Sequence, residues 1–245
     1  MTKESTPDTL STLRSQAREL LNEFDAADGL ASYYALYHAN QRTVLFTHFD
    51  TTGVVDGFLA RCQTGIDLFR PLVTLRVRGA NDPVSPLIDS ALVAGRPYLT
   101  VFPAALRDQV GGLAALSDST CNRIMRLESS RFQPDLNTLV ATRTDRDGHP
   151  RAEIVRGDRV IAQAGVNWRS PIFAEVYVKV EPEGRGHGWG QSVVRAVSAA
   201  LLDMHVTPLY AVAEDNDASY DLALDVGFVD TGAREIMAQA IRADS

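Results

Sequence analysis

Apolar residues recur at helical spacing through Leu10, Leu13, Ala17, Leu20, Leu21 and Phe24, so the chain opens, after a polar stretch from Met1 to Asp8, on an amphipathic helix. Asp8 is placed to cap it and Asp28-Gly29 to end it. The period then shortens to that of strands over 43–48 and 54–62, joined through Asp50-Thr51-Thr52-Gly53 as a hairpin, and again over 72–77. Helices over 84–94 and 104–116, alternating with strands over 98–102 and 122–127, complete the first half.

From Asn137 onward the same order returns. Strands are expected over 139–144 and 151–155, a tight turn at Gly157-Asp158, then strands over 160–167 and 174–180. A glycine-rich loop leads into a helix over 188–204, followed by a strand over 208–213, a helix over 217–226 and a last strand from Phe228. Hairpin, strand, loop, helix, strand, helix, strand occurs in both halves. The chain is therefore read as α/β (α+β): a mixed sheet flanked by helices, in two tandem domains over 1–136 and 137–245. Chance recurrence in a mixed α/β chain is the competing explanation of the repeat.

Composition narrows the classes. With 45% apolar and 22% charged residues in 245, the chain is too apolar for disorder and long enough to bury a core without staples. No apolar run reaches the roughly 18 residues of a membrane span. A net charge of −7 and scattered arginines argue against nucleic acid, which needs a basic stripe. Cys62 and Cys121 lack metal or redox spacing, so no metal is expected and both are read as small buried residues. The polar N-terminus has no signal-peptide core, so the expected location is the cytoplasm.

The chemistry concentrates in Val178-Lys179-Val180-Glu181-Pro182-Glu183-Gly184-Arg185-Gly186-His187-Gly188-Trp189-Gly190-Gln191. Four glycines at alternate positions separate a strand from an amphipathic helix, leaving backbone N–H groups uncovered at a positive dipole end: a site for phosphate or pyrophosphate. A dinucleotide GxGxxG fails because Trp189, Gln191 and Val193 stand where its third glycine belongs, and a P-loop fails because Gly190-Gln191-Ser192 lacks the lysine. Trp189, Val193, Val194, Val197, Ala200, Leu201 and Met204 form the stripe that packs this helix on a sheet.

What remains, Arg185-Gly186-His187-Gly188-Trp189-Gly190 after Val180-Glu181-Pro182, resembles the acetyl-CoA loop of the GCN5-related N-acetyltransferase superfamily, Gln/Arg-x-x-Gly-x-Gly/Ala. A second block, Pro208 to Ser219 with Asn216 and closing in Val226-Gly227-Phe228, is similar to that family's strand, helix start and Gly-Phe end. The resemblance covers about residues 150 to 232, and residues before 137 share no motif with it, so if the repeated order makes the first half a second acetyltransferase-like fold, a degenerate copy is expected. It implies acetyl-CoA as co-substrate. The pantetheine arm would lie on the edge of Val178, Lys179 and Val180, the pyrophosphate on the N–H groups of Arg185 to Gln191, and Asn216 and Ser219 would reach the pantetheine or thioester. For Asn216 helix capping alone is an equal reading; Arg185 either reaches a phosphate or lies on the surface; His187 contributes its backbone.

Acyl transfer to an amine needs a base for the ammonium proton, an N–H to polarise the thioester and, optionally, an acid for the thiolate. Glu175 is the base candidate, or else a structural strand residue. The family's acid is a tyrosine four residues before the closing glycine, and here that position is Ala223. Tyr220, one turn earlier, is the substitute, or else packs in the core or stacks on substrate. The expectation is an N-acetyltransferase acting on a small-molecule or peptide amine, as monomer or homodimer. A non-catalytic acyl-CoA-binding module and an O-acetyltransferase are the alternatives.

Overall fold

The computed structural model describes residues 3–4, 7–65, 67, 69–79, 82–134 and 137–243. By its contacts the chain forms two compact units, Met1–Asn122 with Arg234–Ser245, and Arg123–Ala233. A cut at 136/137 differs from this division in two places. Residues 123–127 of one long strand close the second unit, and the last part of the final strand returns to the first.

In the first unit β1 (Lys3–Glu4) and α1 (Pro7–Glu19) precede a helical stretch made of a 3₁₀ turn (Ala26–Asp28), α2 (Gly29–Ser32) and a π turn (Tyr33–Tyr37). Then come β2 (Thr43–Phe49), β3 (Val55–Cys62), β4 (Leu72–Val77), α3 (Val84–Ala91), β5 (Pro97–Pro103), α4 (Arg107–Leu113) and β6 (Ala114–Leu127). The expected apolar stripe of α1 is buried from Leu10 to Leu21, but Phe24 is 74% exposed. The helix stops at Glu19, where Leu20 and Leu21 tighten onto the carbonyls of Ala17 and Arg18, and so Phe24 never joins the stripe. Asp8 lies inside the first turn rather than before it.

The expected helix over 104–116 is a 3₁₀ turn (Ala104–Leu106) and the short α4. Gly111 and Gly112 weaken its end, and the chain is already a strand at Ala114. The missed part of β6 includes Ser117-Asp118-Ser119-Thr120, polar and mostly exposed, so no apolar alternation marks it.

The hairpin forms as expected: Asp50 Oδ1 accepts from the N–H groups of Thr52 at 2.8 Å and Val54 at 2.9 Å. β2, β3 and β4 are antiparallel neighbours, and β5 runs parallel to β4. That parallel pairing covers only Leu72↔Leu99, Val73↔Thr100 and Thr74↔Val101, after which the strands part. Across the gap lies an ion triad, with Arg76 and Glu235 buried and Asp28 half-buried. Arg76 Nη2 is 2.8 Å from Glu235 Oε1, Nε is 3.0 Å from Asp28 Oδ1, and Nη2 also donates to the Ala27 carbonyl at 2.7 Å. Phe46, Leu59, Tyr98, Phe102 and Ile236 centre the core of this unit, each fully buried side chain adding about 1.5–3 kcal/mol.

The second unit carries β7 (Val140–Thr144), β8 (Pro150–Arg156), β9 (Arg159–Arg169), β10 (Phe173–Val180), α5 (Trp189–Asp203), β11 (Thr207–Ala213), α6 (Asp217–Val226) and the start of β12 (Phe228–Arg242). Its strand order is β6-β11-β10-β9-β8-β7. β8, β9 and β10 are antiparallel, and β11 runs parallel to β10 only at Phe173↔Thr207, Ala174↔Pro208 and Glu175↔Leu209. The first unit's topology is thus repeated, down to a short parallel pair that splays. α5 packs Val193, Val194, Val197 and Leu201 against Val166, Val176 and Phe228. Among the described residues no helix is long and apolar enough to cross a membrane.

Candidate functional site

The splay of β10 from β11 opens a cleft of about 450 Å³. Val178 and Val180 on β10 form one wall, Asn216, Ser219 and Leu222 of α6 and its approach the other, and the glycine loop with the start of α5 closes the end. Strand alternation explains the first wall: Val178 and Val180 share a face, whereas Lys179 turns away and places Nζ 3.0 Å from Glu181 Oε1. That ammonium holds the Glu181 carboxyl below its ordinary range.

The loop is built for close approach. Gly188 caps α5 with φ +73° and, among the described residues, no side chain hydrogen-bonds to the helix start there. By helix geometry the N–H groups of Trp189, Gly190 and Gln191 have no acceptor within α5, and all three residues line the cleft. Gly190 permits the packing behind them: a Cβ there would meet Leu222 Cδ1 at 2.8 Å and Val180 Cγ2 at 3.2 Å. Arg185 and Gly186 also line the cleft. His187 does not; its Nδ1–H donates to the Arg185 carbonyl at 2.8 Å and its ring lies 4.7 Å from that of Trp189.

Asn216 caps α6, its side-chain oxygen accepting from the Ser219 N–H at 3.0 Å, and it lines the cleft as well. Ser219 Oγ is 2.8 Å from the hydroxyl of Tyr210, a residue sequence reasoning passed over as a strand aromatic. Burial pushes the Tyr210 phenol up.

The two residues expected to carry proton transfer lie outside the cleft lining. Glu175 closes the parallel pairing at the mouth of the splay, where its Oε1 accepts from Asn167 Nδ2 at 2.7 Å and Oε2 from Trp168 Nε1 at 2.9 Å. A bulge makes this cage: Glu175 pairs with Trp168 but Val176 with Val166, leaving Asn167 as the extra residue on β9. Nothing in the residue pattern signals that bulge. Tyr220 packs against the core with the Arg123 guanidinium 4.9 Å from its ring centroid.

Residues 154–237 match the family model described as FR47-like protein, which is related to the GCN5-related N-acetyltransferases (GNAT). Residues 154–237 are thus similar to that family, within the second unit and its exit into the last strand. Solved structures extend the GNAT fold over both units. A GCN5-related N-acetyltransferase from Sphaerobacter thermophilus aligns over 100% of this chain and 96% of its own, at TM-score 0.62 and 12% identity. A tandem GNAT protein from the clavulanic acid biosynthesis pathway aligns over 100% and 99%, at TM-score 0.60 and 15% identity. A GNAT-family protein from Novosphingobium aromaticivorans covers 76% of this chain and 89% of its own, at TM-score 0.58 and 17% identity. The search of curated proteins found no match. At these identities the likeness is one of fold; both units carry the splayed parallel pair, and the glycine loop is the part that the first unit lacks.

Proposed function

We propose that this chain is an acetyl-CoA-dependent N-acetyltransferase, moving the acetyl group onto the amine of a small molecule or peptide by direct attack on the thioester. The observation that carries it is the cleft between the splayed strands, ending on an α5 start that no side chain caps. Its parts fit the co-substrate: an open strand edge at Val178 and Val180 for the amide-bearing arm, uncovered N–H groups from Trp189 to Gln191 for the pyrophosphate, and Arg185 beside them. When bound, acetyl-CoA supplies an activated acyl group.

The chain's own part is modest. Glu175, oriented by Asn167 and Trp168 at the mouth of the splay, takes the proton of the incoming ammonium directly or through a water. The main chain of β10 beyond Glu175, released from β11, offers N–H groups to the acyl oxygen. The position of Tyr220 under Arg123 gives it no part in this scheme.

The test is purified protein with acetyl-CoA and a panel of amines. Thermal stabilisation by CoA together with thiol release on at least one amine is expected. Stabilisation with no thiol release on any amine would leave a binding module, and release with alcohols alone would mean O-acyl transfer. No stabilisation by CoA or acetyl-CoA overturns the reading.

A further inference from the structure

The two hydroxyls of Tyr210 and Ser219 share one hydrogen bond, and their surroundings fix its direction. Tyr210 is the first residue of β11 beyond the last parallel pair, Glu175↔Leu209. It is 4% exposed, with its ring 5.7 Å from that of Phe228 and Ala223 and Val226 in the same apolar cluster. If Ser219 donated to it, the phenol hydrogen would be left in those apolar surroundings without water, an arrangement that costs the full desolvation of a donor. The phenol therefore donates to Ser219 Oγ, and the Ser219 hydrogen is left to point into the cleft that Ser219 lines.

Ala223 follows Ser219 by one turn and is fully buried, and Asn216 spends its side-chain oxygen on the Ser219 N–H while keeping its amide hydrogens, so Ser219 is the hydroxyl donor of that helix face. We propose that Ser219, aimed by the buried hydroxyl of Tyr210, is the hydrogen-bond donor to the sulfur that departs during acyl transfer, and that Tyr210 is its positioning residue. This rests on the acyl-CoA reading above. In the step, the amine nitrogen bonds to the acyl carbon and the carbon–sulfur bond breaks with its electron pair on sulfur. The amine enters neutral, Glu175 having handed the ammonium proton on to water; the proton that the nitrogen sheds on becoming an amide then passes to Glu175, and Ser219 keeps its hydrogen while donating it to the new lone pair. Water later protonates the released thiolate.

The decisive measurement is the thiol pKa of bound CoA, titrated by its ultraviolet thiolate absorbance in the wild-type chain, Ser219→Ala, Ser219→Thr and Tyr210→Phe. A donor that favours thiolate holds this value down, so it should rise by about one unit in Ser219→Ala and Tyr210→Phe and stay low in Ser219→Thr. In turnover, both of the first two variants should lose about tenfold in kcat with little change in KM for acetyl-CoA, and the double variant no more than either. Melting temperatures near wild type would exclude a folding defect. An unchanged thiol pKa in Ser219→Ala, with CoA still bound, overturns the proposal and leaves the acyl-CoA reading standing. CoA failing to stabilise the wild-type chain overturns both.

Discussion

The two units meet the same topological problem with opposite solutions. In each, three antiparallel strands lead to a parallel pair that holds for a few residues and then splays, β4 from β5 in the first and β10 from β11 in the second. Splaying strands expose unpaired backbone groups, which must be satisfied by something. In the first unit the gap receives the Arg76–Glu235–Asp28 triad, whereas in the second it stays an open cleft facing a helix start that lacks a cap. Binding capacity in this fold thus depends on what the chain declines to put between two strands.

The sharpest way to break the comparison is to remove the plug. Arg76→Met leaves the buried Glu235 carboxylate, and the half-buried Asp28 beside it, without the guanidinium and should cost about 3–5 kcal/mol of unfolding free energy by denaturant titration. Burial pushes the Glu235 carboxyl up and Arg76 pulls it back, so losing the arginine favours the protonated form. A cost near zero would mean that the triad does not close the first splay.

Next is the residue at the end of each parallel pair, Glu175 in one unit and Thr74 in the other. Glu175→Thr should lower kcat about a hundredfold at neutral pH with CoA stabilisation intact. Equal turnover would show that the base lies elsewhere.

A third difference concerns acid. Buried His38, its Nδ1 2.9 Å from Thr43 Oγ1, has its pKa lowered to about 4 by burial, with Arg42 and Arg14 adding to the effect. The unfolded chain binds this proton more readily, so the stability it carries is complete above pH about 6.5 and is lost as pH falls from there towards 4, at most about 1.4 kcal/mol per unit. His38→Gln should flatten the first unit's acid limb in that window. Melts followed at pH 5 and pH 7 provide the check, and an unchanged difference between them would exclude His38 as its source.

The smaller effects belong to the loop. Gly188→Val forces a β-branched residue to φ +73°, costing about 1–2 kcal/mol, and should also abolish CoA stabilisation by crowding the α5 start. Retained stabilisation would separate that helix end from phosphate binding. Lys179→Ala removes only an exposed ion pair and should change neither melting nor CoA binding measurably.

Much of this was legible in one dimension, for identifiable reasons. β4 and α6 fall where expected because Leu72–Val77 is a buried β-branched run and Asp217–Val226 sits between a capping asparagine and a glycine. The glycine loop was legible because backbone N–H groups need no particular side chain, only the absence of obstruction. Part of β6 was hidden because its exposed polar residues carry no alternation. The cage around Glu175 was hidden because a bulge shifts Trp168 opposite it by one residue, and no local pattern encodes register.

By itself, then, the sequence determined most of the element order, its repetition and the glycine loop before α5, though not the helical stretch from Ala26 to Tyr37, since periodicity, caps and glycines act within a few residues of chain. Only the tertiary structure decided that one splay is filled and the other open, that Tyr210 rather than Tyr220 reaches the cleft wall, and that the chain's last strand closes its first unit. Those outcomes rest on contacts between residues far apart in sequence, where a hydrogen bond or an ion pair is set by geometry that no local pattern carries.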